Sequence, residues 1–298
     1  MRGLDWLAKG QREDGSWTLP GAGDPRLSAE AVATTAEAYG LTKDDRLRPY
    51  LKSALTYLLS VQQDSDGGWR ETPDGADELA TSVWDVMALR TAQYAHVAVP
   101  RKALKRAEMF TEDCGAGPAD NRQSLYANTP GDQPNAMATA TGLFVRQLLG
   151  WQKSEPALAT GCRFLMNHLP LENADALGDN ETWFFATQVL RNMEGDDFDL
   201  CNHLVQSHLV RTQEQNSPVR GSWRPLEEAA APRQSRMYAT VLSLLTLQGA
   251  ISTPAPLPTR QAAGGRRQRR GSGRSTARRQ SIGDRLVAKT GPNNPDGR

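Results

Sequence analysis

The sequence lacks the features that would place it in a membrane or in an oxidising compartment. It has no run of roughly eighteen apolar residues, the length from which a transmembrane helix is expected. Its three cysteines, Cys114, Cys162 and Cys201, show no Cys-x-x-Cys spacing, which argues against a disulfide framework and favours a reducing compartment. The opening "MRGLDWLAKGQ" lacks the apolar core of a secretory signal peptide. These absences predict a cytoplasmic location.

Acidic residues are scarce at the end of the chain. Residues 251–298 contain eleven Lys and Arg but two Asp, a net charge of +9, whereas the whole chain carries +1. The first 250 residues therefore carry about −8. Because "GGRRQRRGSGRSTARRQ" (residues 264–280) also has no apolar periodicity, we predict that residues 251–298 form a disordered basic tail. One role open to such a tail is contact with a polyanion through residues 264–280.

Strand-like alternation is absent as well, and the first 250 residues repeat one helical pattern instead. The phrase "WLAKGQREDGSW" (residues 6–17) returns as "YLLSVQQDSDGGW" (residues 57–69), and five helix–loop–helix units of about fifty residues follow one another. First helices such as "LKSALTYLLSVQ" have one apolar face, whereas second helices such as "MYATVLSLLTLQG" are apolar or small almost all round. We therefore predict an outer layer of first helices around a buried inner layer of second helices.

The repeated phrase resembles a motif of the α/α toroid superfamily of terpenoid cyclases and protein prenyltransferases, which includes the squalene–hopene cyclases. The motif, known as QW, has an aromatic residue and Leu, then Gln, then Gly-x-Trp. Its three good copies contain Gln11, Gly15, Trp17, Gln62, Gly67, Trp69, Gln213, Gly221 and Trp223. The chain also resembles uncharacterised bacterial proteins named for prenyltransferase and squalene oxidase repeats.

This resemblance implies an all-α fold. Residues 1–250 would form an α/α toroid of about five helix hairpins in two concentric layers, and a ring of five hairpins would be incomplete. The motif itself has a structural explanation: the Gln amide satisfies backbone groups at helix ends, the Trp ring packs over the turn, and Gly permits a positive φ. We therefore interpret the motif as architectural.

The acid that such cyclases use is missing. They protonate an alkene with an Asp-x-Asp-Asp cluster at the start of an inner helix, and this chain contains no such cluster. Asp85 is the remaining candidate catalytic acid on an inner helix; the competing interpretation is that it pairs with Arg90 or caps a neighbouring helix. Asp199 and Cys201 reproduce the spacing of the prenyltransferase zinc pair, but the accompanying His is absent. No metal and no other cofactor is expected.

Aromatic and other apolar residues mark the beginnings of the inner helices. The candidate lining of a central cavity consists of Trp84, Met137, Phe144, Trp183, Phe184, Phe185 and Tyr238. Aromatic faces pack well against polyisoprenoid chains, but they also simply fill cores. The favoured hypothesis is a toroid repeat protein without the usual catalytic groups that binds an apolar, isoprenoid-type ligand or a protein. The alternatives are a diverged terpenoid cyclase or prenyltransferase acting on polyprenyl substrates, and polyanion binding through the tail.

Overall fold

The chain folds into helices throughout the part that the structure describes. The structure, a computed structural model, describes residues 2–17, 25–72, 75–169, 180–216, 218–225 and 235–251. In these ranges ten α-helices follow one another, and extended pairing is limited to two isolated bridges, Arg70–Asp77 and Gly115–Tyr126. No helix in this part of the chain is long and apolar enough to cross a membrane. The all-α prediction is confirmed, and the predicted basic tail lies outside the described residues.

The helices form five hairpins in two layers. The outer helices are α1 (Arg2–Gly10), α3 (Arg48–Val61), α5 (Arg101–Asp113), α7 (Pro156–His168) and α9 (Asp196–Thr212). The inner helices are α2 (Pro25–Thr42), α4 (Leu79–Tyr94), α6 (Ala136–Leu148), α8 (Asn180–Met193) and α10 (Arg236–Ile251). Each inner helix packs against the inner helix of the next unit, and α3, α5, α7 and α9 lie against them. Since the helices of a hairpin run antiparallel, the inner helices all begin at the same end.

The two kinds of helix bury different fractions of their surfaces, as their sequences predict. The outer helix α3 buries one stripe, formed by Leu51, Ala54, Leu55 and Leu58. The inner helix α6 buries every residue from Ala138 to Gln147 because α4, α5, α7 and α8 all pack against it. Its small residues let neighbouring backbones approach closely: a Cβ added at Gly142 would lie 2.3 Å from the ring of Tyr126.

Helix α10 departs from this pattern. It was expected to be buried on all sides, yet Met237, Val241, Leu244 and Leu245 are exposed. The prediction is wrong for this helix because α10 is the last inner helix among the described residues. Its packing partners are α8 and α9, and no further unit of the described chain covers its remaining side.

Candidate functional site

The repeated motif ties three pieces of backbone together. In the second unit the Gln62 amide donates hydrogen bonds to the carbonyl oxygens of Gly67, at 2.8 Å, and of Ala103 in the first turn of α5, at 2.9 Å. The Trp69 indole N–H donates to the carbonyl of Leu58 in α3, at 3.0 Å. The motif of the second unit therefore joins its own outer helix and loop to the outer helix of the next unit.

The first copy repeats this geometry, and the last repeats the part of it that lies within its own unit. Gln11 donates to the carbonyl oxygens of Gly15 and of Tyr50 in α3, and Gln213 donates to that of Gly221. The indoles of Trp17 and Trp223 also donate to carbonyls of their own outer helices. The polar groups of the motif are thus used by the backbone, which makes the motif a structural device rather than a ligand site.

In each copy of the motif, the backbone N–H of the tryptophan donates a hydrogen bond to a side-chain hydroxyl on the inner helix of the same unit. These bonds are 2.9 to 3.1 Å long and join Trp17 to Ser28, Trp69 to Ser82, and Trp223 to Thr240. The third unit, where the sequence shows only fragments of the motif, has the same bond from Tyr126 to Thr139, at 3.1 Å. Tyr126 is fully buried and takes the place of the tryptophan. The signal that could have revealed it is an aromatic residue thirteen positions before a hydroxyl residue, as in the second unit.

Three polar side chains meet where the inner helices begin. Arg26 on α2 donates hydrogen bonds to a carboxyl oxygen of Glu181 on α8 and to the hydroxyl of Tyr238 on α10, and this hydroxyl donates to Glu181. Arg26 and Glu181 are buried, and Tyr238 is half-buried. The first inner helix is thereby joined to the last two. We call Arg26, Glu181 and Tyr238 the polar trio.

Aromatic rings surround the polar trio. The guanidinium carbon of Arg26 lies 4.9 Å from the ring centre of Trp84 and 5.1 Å from that of Tyr238. Trp84 stacks on Phe184 at 5.9 Å, and Phe185 contacts Trp84, Phe184 and Phe144. Five of the seven candidate lining residues thus lie close to the trio or belong to it. Trp183 is buried on α8 and Met137 half-buried on α6, and neither makes a ring contact among the described residues.

This aromatic cluster is buried. Trp84, Phe144 and Phe184 are 5 to 7% exposed, whereas Phe185 beneath them is 0% exposed. The indole N–H groups of Trp84 and Trp183 and the hydroxyl of Thr81 are buried without a hydrogen-bond partner among the described residues. Buried donors are nearly always satisfied in native proteins, so these three groups are exceptions, and the indole of Trp84 is the one that belongs to the aromatic cluster.

The other candidate groups have different surroundings. Asp85 is fully buried in α4, next in sequence to Trp84, and its assignment as a catalytic acid stays a prediction. The three cysteines are free and buried, and burial raises the pKa of each thiol to about 12, which opposes thiolate formation. In the described residues no group of three or more His, Cys, Asp or Glu side chains could hold a metal ion.

Sequence reasoning missed the two charged members of the polar trio. Arg26 and Glu181 are each the second residue of an inner helix, in "PRLSAEAV" and "NETWFFAT". The available signal is an ionisable residue that opens a helix otherwise made of small and apolar residues. The search for a carboxylate cluster could not find it, because the partners are about 155 residues apart in sequence.

We expect the stability that Glu181 confers to fall as the pH rises. Burial raises the pKa of its carboxyl group from 4.5 to about 8, although the neighbouring guanidinium of Arg26 opposes this shift. The folded protein therefore keeps a proton that the unfolded chain releases, so the contribution is complete below about pH 4.5 and is lost as pH rises through about 8. The slope is at most about 1.4 kcal/mol per pH unit.

Urea denaturation of the wild type and of Glu181→Gln at several pH values measures this effect. The free energy of unfolding of the wild type, relative to the variant, should decline between about pH 5 and pH 8. Burial and the neighbouring Asp66 raise the pKa of Asp77 to about 6. Because both proteins contain Asp77, its contribution to the pH dependence cancels in the comparison. A difference that does not change with pH would show that Glu181 is ionised throughout.

Comparisons with known proteins bear on the fold. No protein-family model and no curated protein sequence matches the chain, so its resemblance to terpenoid cyclases in particular stays a prediction. An inactive variant of an α-1,6-mannanase of Salegentibacter, solved with α-1,6-mannotriose, is 13% identical, with a TM-score of 0.52 over 76% of this chain and 75% of the mannanase. A Salmonella α-2-macroglobulin is 16% identical, with a TM-score of 0.45 over 83% of this chain and 16% of that protein. An Escherichia coli α-2-macroglobulin is 14% identical, with a TM-score of 0.44 over 82% of this chain and 40% of that structure. At such identities the likeness concerns the fold alone, and this chain has the α/α toroid fold.

Proposed function

We propose that this chain binds an apolar, isoprenoid-type ligand that carries an oxygen-bearing head group, at the end where its inner helices begin. The observation that carries the proposal is the cluster of aromatic rings of Trp84, Phe144 and Phe184, which lies beside the polar trio. Ring faces bind hydrocarbon chains through dispersion and provide a rigid, largely desolvated surface.

The head group of the ligand is suggested by the donors around the cluster. The indole N–H of Trp84, whose ring stacks on Phe184, would gain a hydrogen bond from a ligand oxygen. Arg26 adds a positive charge at the edge of the same cluster. An alcohol or a diphosphate on a prenyl chain matches this combination better than a pure hydrocarbon does.

We expect farnesyl diphosphate to bind to the wild type and to bind more weakly to Phe184→Leu. Leucine keeps much of the apolar volume but removes the ring that stacks on Trp84. The loss should be about two- to twelvefold in Kd, which corresponds to the roughly 0.5–1.5 kcal/mol of an aromatic contact. Isothermal titration calorimetry measures it, with farnesol as a second ligand to separate the contribution of the diphosphate.

The control is Phe110→Leu, which makes the same change at a buried ring of the outer helix α5. It should leave the affinity unchanged. Absence of binding to both isoprenoids by the folded wild type, or equal losses in the two variants, would overturn the proposal. α-1,6-Mannotriose is the competing ligand to include, because the mannanase was solved with it and aromatic faces also stack on sugars. Its binding in place of the isoprenoids would assign a saccharide site.

A second candidate function is acid catalysis on a polyprenyl substrate. It is favoured by the position of Glu181, a buried carboxyl group bonded to Arg26 and Tyr238 beside aromatic rings that could stabilise a cation. Mass analysis of products after incubation with squalene and prenyl diphosphates distinguishes this candidate from binding alone. Products that disappear in Glu181→Gln or Asp85→Asn would replace the first proposal with an enzyme, and the lost variant would identify the acid.

A further inference from the structure

The last inner helix, α10, exposes its large apolar residues and packs its small and polar residues into the protein. The side of α10 that packs into the protein carries mainly small or polar residues: Ala239, Leu242, Ser243, Thr246 and Gly249. The opposite side carries four large apolar residues, Met237, Val241, Leu244 and Leu245, of which Met237 is 77% and Leu244 51% exposed. These four recur at helical spacing and form one stripe, which we call the α10 stripe. A monomer in water would normally show the reverse arrangement.

We propose that two copies of this chain pair through the α10 stripe, as a two-fold symmetric dimer with antiparallel α10 helices. A two-fold interface brings the same surface of both copies together, so that one apolar stripe covers the other. The inference is independent of the ligand proposed above, because the stripe lies on the side of α10 that faces away from α8 and α9.

The other end of the helix array cannot supply the partner surface. A head-to-tail contact would place the α10 stripe against the open side of α2 from a second copy. The exposed positions there include Thr34, Glu37 and Leu41, of which the first two are polar. Burying Glu37 against Val241 and Leu244 would remove a carboxylate from water without a counter-charge. The stripe therefore complements itself better than it complements α2.

Charge favours the antiparallel arrangement. From Met237 to Ile251 helix α10 contains no charged residue, so no like charges meet along the stripe. Antiparallel helices also bring opposite ends of their dipoles together, whereas parallel helices would bring like ends together.

Analytical ultracentrifugation of the full chain tests the dimer. We expect a species of twice the 32.6 kDa chain mass at concentrations from about 10 to 100 µM, since one helix pair buries less than the roughly 800 Å² per partner of a tight complex. The double variant Val241→Lys and Leu244→Lys should be monomeric at every concentration. The matched control, Leu200→Lys and Val210→Lys, changes two exposed apolar residues of α9 and should remain dimeric.

A second measurement protects the test against misfolding of the lysine variant. Val241 is at the middle of the stripe, so in an antiparallel pair Val241→Cys should form a disulfide with Val241→Cys of the second copy under mild oxidation. Met237→Cys, at one end of α10, should not. The native cysteines are buried and should not compete. A monomeric wild type at 100 µM, or a dimer that survives both lysines, overturns the proposal; crosslinking of both cysteine variants overturns the antiparallel arrangement.

Discussion

Replacing Trp69 with alanine is expected to lower the free energy of unfolding by about 3–5 kcal/mol, the range observed when a large buried side chain is truncated. Trp69 is 0% exposed. Its indole N–H donates to the carbonyl of Leu58, which the truncation would leave without this bond. The resulting cavity lies between the outer helix α3 and the inner helix α4, so neither layer can close it alone. Urea denaturation followed by circular dichroism measures the loss.

The control for this prediction is the same substitution at Trp6, the first aromatic residue of the motif in the first unit. Trp6 is 64% exposed, and Trp6→Ala should cost no more than about 0.5 kcal/mol. Trp69→Tyr should lie between the two, because Tyr126 occupies the equivalent place in the third unit and makes the same backbone bond to an inner-helix hydroxyl. Equal losses for Trp6→Ala and Trp69→Ala would contradict the role assigned to the motif.

The sequence predicted the order and the layers of the helices because its signals are local and repeated. A motif such as "YLLSVQQDSDGGW" combines a helix end, a glycine turn and a buried ring within thirteen residues, and each copy supports the others. The burial of α6 on all sides followed from its composition. The exposed side of α10 could not be predicted in this way, since a helix that is apolar all round gives no sign of which side lacks a neighbour.

The candidate site was harder to predict because its members are far apart in sequence. Trp84 and Phe184 were recognised as aromatic residues early in inner helices, which is a local feature. Their stacking, and the contacts of Arg26 with Glu181 and Tyr238, depend on how α2, α8 and α10 approach one another. Contacts between residues so far apart in the chain leave no local pattern that a single sequence could show.

The structural motif and the candidate site are nevertheless physically connected. The hydroxyl that receives the motif N–H in the second unit belongs to Ser82, two residues before Trp84. In the first unit it belongs to Ser28, two residues after Arg26, and in the last unit to Thr240, two residues after Tyr238. Each bond fixes the first turns of an inner helix. The motif therefore carries no chemistry of its own, yet it sets the positions of the residues around the polar trio.

Replacing Gly67 with alanine is expected to lower the free energy of unfolding by about 3 kcal/mol or more. Gly67 has a φ of +93°, which L side chains rarely adopt. An added Cβ would also lie 2.5 Å from the carbonyl oxygen of Arg106, a backbone atom of α5. The helix would have to move away from the loop, which breaks the bond between Gln62 and Ala103 as well. Strain, a steric clash and a lost bond between units thus act together.

Gly221→Ala isolates the cost of backbone strain from that of the steric clash and the lost bond. Gly221 occupies the same motif position with a φ of +85°, but no heavy atom lies within 4 Å of an added Cβ. The free energy of unfolding of this variant should fall by only about 1 kcal/mol, the cost of a strained backbone. The difference between the two variants in urea denaturation then measures how tightly the second unit is held against α5. Equal losses would mean that the positive φ alone accounts for the cost at both glycines and that the close approach of the units contributes nothing. A larger loss at Gly67 would mean that the neighbouring helix, more than the turn, requires glycine in the motif.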